Sequence, residues 1–318
     1  MSLLEKWYTF IIFSAVLLGI SMGQIEMVRT NADSLIVPLL VAMLYITFIQ
    51  IPVEEIKKAF QNITFTYTAV LINFVWTPFL AWFLAVMLLG DSPALYIGFI
   101  MLMVTPCTDW YLIFTGIAKG NVALSTAILP LNLLLQVVLL PIYLLIFGGT
   151  TGTIELTFLL ESILIVLVLP FLLSLLTKWF LRNKQEVREH VISRLSVLPI
   201  MFLSLAIVAM FASQGQLLLH NLDVMWRITI PILLFFVINF FVGQWAGQLM
   251  KFSYRDRASL SLTTLARNSP IALAIAMTAF PDQPLIALSL IIGPLLELPI
   301  LAAFSQILLF VSKNNRVP

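Results

Sequence analysis

The residues able to do chemistry in this sequence gather in two short stretches and at one carboxylate. The first stretch reads Val104-Thr105-Pro106-Cys107-Thr108-Asp109-Trp110, and the second Leu265-Ala266-Arg267-Asn268-Ser269-Pro270. The carboxylate is Glu297, set between Pro294 and Pro299. Cys107 is the one cysteine of the chain, which excludes an intramolecular disulfide and any Cys-rich metal site. A thiol is a soft ligand, suited to thiophilic species and poorly suited to sodium or magnesium. A lone cysteine among apolar residues also serves as a small filler, so both roles stay open. The hydroxyls and amides of Thr105, Thr108, Asn268 and Ser269 can hydrogen-bond a small polar solute. Asn132 and Gln136, one helical turn apart, can line its path or bridge two helices. Arg267 either presents a fixed positive charge or forms half of a buried ion pair, with Asp109 or Glu297 as its partner. Those two carboxylates are also the candidates to carry a proton. The two histidines, His190 and His220, fall where loops are expected and leave no histidine cluster for a catalytic metal. No phosphate loop or activated nucleophile is visible, so neither an enzyme nor a cofactor is expected.

The elements that must hold these groups follow from composition. Of 318 residues, 61% are apolar and 10% charged, with a mean hydropathy of +1.06. Soluble domains run at about 45–50% apolar and about 25% charged. A water-facing shell cannot be built from so few charges, and a net charge of +2 points to no nucleic-acid partner. An all-helical, polytopic protein embedded in lipid is expected. A spanning helix needs about 20 mostly apolar residues. Such runs lie near 8–23, 34–51, 66–90, 94–118, 122–148, 154–177, 195–218, 226–250, 257–280 and 284–311, which gives ten spans. The first run lacks a small-residue cleavage site and reads as a retained helix. Lys and Arg accumulate on the cytoplasmic side of membrane proteins. Of the 17 basic residues, Arg267 lies within a span, Arg29 and Arg227 fall on one side, and all others share the side of the N-terminus. Both termini are therefore expected in the cytoplasm, with the chain in the inner (plasma) membrane.

The prolines suggest a repeat. Splitting the chain at the Gly148-Gly149-Thr150-Thr151-Gly152 loop gives halves 1–150 and 151–318 of five helices each. Because five is odd, the second half enters from the opposite side, the inverted plan of many secondary transporters. Ser34-Leu-Ile-Val-Pro38 matches Leu195-Ser-Val-Leu-Pro199, and Ile72-Asn73-Phe74 matches Ile238-Asn239-Phe240. The spacing from Pro106 to Pro130 equals that from Pro270 to Pro294. Pro106 and Pro270 are expected to break spans four and nine, since proline removes a backbone donor and clashes with the preceding turn. Broken helices at matching places in two halves, crossing at mid-membrane, point to a transport site. An ionisable side chain at that depth costs at least about 2.5–3.5 kcal/mol, so Asp109, Arg267 and Glu297 need a purpose.

Longer motifs carry a resemblance. Cys107-Thr-Asp-Trp-Tyr-Leu-Ile-Phe-Thr-Gly-Ile-Ala-Lys119-Gly120-Asn121, running into Asn132-Leu-Leu-Leu-Gln136, resembles the bile acid/sodium symporter and arsenical-resistance superfamily. Gly293-Pro-Leu-Leu-Glu297-Leu-Pro-Ile-Leu301 is similar to the last-helix motif of its arsenite permeases. The resemblance implies that Cys107 falls on the cysteine those permeases use for arsenite, Glu297 on their last-helix glutamate, and Asn132 and Gln136 on their fifth-span amides. It also marks departures. Ala272 occupies the position of a ninth-span glutamate, and Tyr111, Leu112, Thr263 and Arg267 occupy ion-site positions of the bile-acid branch, where Asn268 is kept. An arginine there supplies charge but no oxygen ligand, so protons rather than sodium are the expected coupling ion. The resulting expectation is a secondary-active efflux permease for arsenite or antimonite, working by proton exchange and alternating access. Cys107, Thr108, Arg267, Asn268 and Ser269 would hold the solute and Asp109 or Glu297 the proton. Thr105, Asn132 and Gln136 would line the pathway. The alternative is an uptake symporter for a small organic anion, anchored by Arg267.

Overall fold

Apolar residues occur on every face of the predicted spans, so no amphipathic stripe directs them to a water-facing surface. A helix that is hydrophobic all round belongs in a core or a membrane. A computed structural model of the chain describes residues 3–51, 60–107, 110–148, 156–181, 195, 197–220 and 222–314. Among them every regular element is helical. We number these elements α1 (Leu3–Met22), α2 (Glu26–Gln50), α3 (Phe60–Leu89), α4 (Pro93–Met103), α5 (Trp110–Ile117) and α6 (Val122–Phe147). The chain continues through α7 (Thr157–Leu181), α8 (Leu198–His220), α9 (Leu222–Leu249), α10 (Tyr254–Leu265), α11 (Ser269–Ala279) and α12 (Pro284–Asn314). Seven described helices, namely α2, α3, α6, α7, α8, α9 and α12, are long and apolar enough to cross a bilayer. Large apolar side chains such as Phe79, Phe180, Trp245 and Phe310 face outward along them. A continuous apolar exterior of this kind is a surface made for lipid. The protein is a multi-pass membrane protein.

Several expectations fall outside the described residues, among them Thr108, Asp109, His190 and most of the polar stretch 53–62. His220 closes α8 instead of lying in a loop. Helix α3 carries a π-helical turn over Ile72–Trp76, and α7 another over Leu164–Val168.

The chain packs as two compact units, each drawn from three separated segments. One comprises Met1–Pro52, Ile154–Met225 and Pro270–Ile291. Within it α1 lies tightly on α8 because two residues lack side chains. A Cβ on Gly19 would sit 2.6 Å from the Phe211 Cβ, and one on Gly23 would sit 2.6 Å from the Ala212 carbonyl oxygen. In lipid, such close van der Waals contact is a main source of helix association. Helix α2 packs along α8 and α7, where Phe48 meets Phe171 edge-on and Tyr45 hydrogen-bonds Thr177 at 2.8 Å.

The other unit comprises Val53–Thr153, Trp226–Ser269 and Ile292–Pro318. Gly243 and Gly247 of α9 let α10 approach, with added Cβ atoms falling 3.1 Å from the Ser261 Cα and 2.6 Å from the Arg257 Cγ. Asn121 caps the start of α6 by accepting from the Leu124 N–H. Its side chain also donates to Asp256 at 2.7 Å, and its backbone N–H donates to the Ser259 hydroxyl at 2.7 Å. Gly120 is needed beside it, because a Cβ there would lie 2.8 Å from Thr115 and 3.1 Å from the Ser259 hydroxyl. The Lys119-Gly120-Asn121 turn is thereby tied to α10, which leads into the second polar stretch.

Candidate functional site

Within this second unit the two polar stretches meet backbone to backbone. Helix α4 ends at Met103, as expected where Thr105 precedes Pro106, because the residue before a proline avoids helical geometry. Helix α10 ends at Leu265. Between these ends Pro106 and Arg267 form an isolated antiparallel bridge. The Cys107 N–H donates to the Ala266 carbonyl at 3.0 Å, and the Asn268 N–H donates to the Thr105 carbonyl at 2.7 Å. In this register the backbone groups of Pro106 and Arg267 point away from each other. Proline, with no N–H, therefore loses nothing at its position. The outward N–H of Arg267 donates to the Glu297 carboxylate at 2.8 Å.

The Arg267 side chain is buried and finishes both helices. Its Nη1 donates to the Met103 carbonyl of α4 at 2.9 Å, and its Nε to the Leu265 carbonyl of α10 at 3.0 Å. Its Nη2 donates to the Thr264 carbonyl and, at 3.1 Å, to the Asn73 Oδ1. The Phe235 ring lies below the guanidinium, 5.5 Å from its carbon to the ring centroid. The last carbonyls of any helix lack intrahelical partners and carry the negative end of its dipole. One guanidinium answers both ends here. Each hydrogen bond from a charged group contributes about 1.5–3 kcal/mol, so this set offsets much of the cost of burying the charge.

Two asparagines that the sequence marks only as a repeated motif belong to this centre. Asn73 projects from the π-helical turn of α3, a distortion frequent at functional sites. Asn239 donates to the Thr264 carbonyl at 3.0 Å and to Thr77 at 3.1 Å, and accepts from the Trp76 indole at 3.0 Å. Phe235 had no signal in the sequence at all, being one phenylalanine among 24.

The structure gathers Thr105, Pro106, Cys107, Arg267, Asn268, Ser269 and Glu297 around this bridge. Cys107 and Ser269 are buried, at 2% and 3% exposure. Thr105 turns its hydroxyl back onto the Met101 and Leu102 carbonyls, a helix-ending role. Gly293, at the head of the α12 motif, lets that helix close in, since a Cβ there would lie 2.8 Å from Leu102 and 3.4 Å from the Ser269 Cβ. Asn132 and Gln136 lie in α6 of the same unit, fully buried, and their side-chain nitrogens and oxygens have no hydrogen-bond partner among the described residues. The buried hydroxyls of Ser125 and Thr263 are likewise without a partner among the described residues. Pro270 stands in the first turn of α11, where a proline's missing N–H is harmless, and the interruption itself falls at 266–268. Of the ion-site positions implied by resemblance, Tyr111 donates its phenol hydrogen to the Ser125 carbonyl at 2.8 Å.

Two helix ends meeting at a hydrogen-bonded crossing, in a protein of membrane-length apolar helices, fit a membrane transporter and not an enzyme. Residues 37–221 match the Sodium Bile acid symporter family, and the chain belongs to that family. It is 23% identical to the Arsenical-resistance protein Acr3 of Corynebacterium glutamicum, over 98% of this chain and 90% of that protein. It is 24% identical to an uncharacterized transporter of Synechocystis, covering 96% of this chain and 88% of the relative. A second Arsenical-resistance protein Acr3, from Alkaliphilus metalliredigens, is 19% identical over 95% of this chain and 91% of its own length.

Proposed function

We propose that the protein exports trivalent arsenic, as arsenite and also antimonite, in exchange for protons. In this reading it has ten spans arranged as two inverted halves, 1–150 and 151–318, and works by alternating access in the plasma membrane with both termini in the cytoplasm. The observation that carries the reading is the position of Cys107. The chain's one thiol is the first residue past the bridged Pro106–Arg267 pair at the crossing, and it is buried. Exchange of one arsenic hydroxyl for the Cys107 sulfur would release water and reverse on exit. Asn268, Ser269 and Thr108 would hydrogen-bond the remaining hydroxyls, and Asp109 or Glu297 would carry the proton.

The state of Arg267 favours a neutral solute over an organic anion. Its guanidinium hydrogens are directed at backbone carbonyls and one amide, so it makes a poor anchor for a carboxylate. The unpartnered groups of Asn132, Gln136 and Thr263 are uncharged and can both donate and accept, which suits arsenous acid with its three hydroxyls. Names of two full-length relatives support the same solute. The test is arsenite uptake into everted vesicles energised with a proton gradient. Uptake should require the gradient and fall at least tenfold in Cys107→Ser. Gradient-driven flux of a carboxylate that is indifferent to Cys107, with no arsenite flux from folded protein, would replace this reading with organic-anion uptake.

A further inference from the structure

We infer that the Arg267 guanidinium is a built-in substitute for a coupling cation, so that this member of a sodium symporter family runs without sodium. The inference rests on the crossing being the transport site, but not on the identity of the solute. In transporters with interrupted helices, unwound carbonyls and the C-terminal ends of half-helices coordinate the coupling sodium. The present crossing offers such a set of ligands. The carbonyls of Met103, Thr264 and Leu265 and the Asn73 Oδ1 are four uncharged oxygens, contributed by the ends of α4 and α10 and the π-turn of α3. Hard cations take oxygen ligands of this kind. Here all four accept from one guanidinium, whose open face lies over Phe235.

A second feature says that the charge, and not only the bulk, is required. Two helix C-termini converge on one point and place two partial negative charges there. Glu297 adds a carboxylate one peptide away, on the Arg267 N–H. Without a cation these two helix ends and the Glu297 carboxylate would have no full positive charge to balance them. A diffusible ion and a tethered one satisfy that demand equally well electrostatically, and they differ in one respect: the tethered ion is always present. The site is thus closed to sodium by occupation. Removing the side chain while leaving its four oxygens should reopen it.

The test reads thermal stability of purified protein in detergent, with no solute present, as sodium replaces choline at constant ionic strength. The wild type should show no sodium-specific change. Arg267→Ala should unfold earlier and recover by about 2–4 °C at sodium well above its midpoint, with lithium acting similarly and choline not. Arg267→Lys, which keeps a tethered charge, should stay indifferent to sodium. Saturable stabilisation of the wild type by sodium would overturn the inference, as would a folded Arg267→Ala protein that responds to no small cation. Should Arg267→Ala not fold, the decision falls to sodium-22 binding by the wild type: none is expected, and stoichiometric binding refutes the substitution. Because arsenic takes no part, failure of the efflux reading leaves this result standing, and the reverse holds too.

Discussion

At the scale of single residues, buried amides of this unit divide into those with full hydrogen bonding and those without a partner among the described residues. Asn239 makes three hydrogen bonds in a buried setting, and its loss takes the acceptor from the Trp76 indole and one of two side-chain donors from the Thr264 carbonyl. Asn239→Leu should therefore destabilise by on the order of 3 kcal/mol, read as an earlier thermal transition. Asn132 and Gln136 make none among the described residues, so replacing either with leucine removes an unsatisfied amide. These variants should keep or raise stability while cutting solute flux at least tenfold; a stability loss matching that of Asn239→Leu would assign them to structure alone. Sequence reasoning reached Cys107, Arg267 and Glu297 because each is a costly or rare residue type at mid-membrane. It saw Asn73 and Asn239 only as repeat markers, since an asparagine's partner lies in another helix and leaves no local trace. Whether Arg267 would face a carboxylate or a solute was also illegible: its four side-chain partners are three carbonyls and an amide oxygen, and carbonyls are present at every residue.

At the scale of elements, proline and glycine were the readable signs. Pro106 marks the end of α4 through the residue before it, and the four-residue spacings Gly19-xxx-Gly23 and Gly243-xxx-Gly247, a pattern of close helix packing, fall at the tight contacts on α8 and α10. The break near Pro270 was less exact, because proline is at home in a helix's first turn and the true gap is set by pairing across to Thr105 and Cys107. The π-turns of α3 and α7 had no sequence sign, being made of the same apolar residues as the flanking turns. One consequence of the α1 contact is checkable. Gly23→Val would force a side chain against the Ala212 carbonyl, a backbone atom that cannot rotate away. Overpacking of this sort costs about 1–3 kcal/mol. Hydrogen exchange should rise along α1 and its contact strip on α8, while α10 stays protected; unchanged exchange in α1 would show that the helix tolerates the added volume.

At the scale of the whole molecule, composition alone was enough to place the chain in lipid, and the distribution of charge predicts its orientation. Arg227 and Arg255 are exposed residues assigned to opposite sides. In a Cys107→Ser background, Arg227→Cys should react with a membrane-impermeant maleimide in intact cells, and Arg255→Cys only in everted vesicles. Labelling of both from one side would break the ten-span count. The tethered guanidinium has a last consequence, which is electrical. Arg267 travels with the chain and is never released, so its charge has no concentration and no gradient can pull on it. It drops out of the current carried in a full cycle. Under the proposed exchange, export of a neutral solute against one inward proton would move one elementary charge per turn, and the membrane voltage itself would become a driving force, worth about 2.3 kcal/mol for each 100 mV.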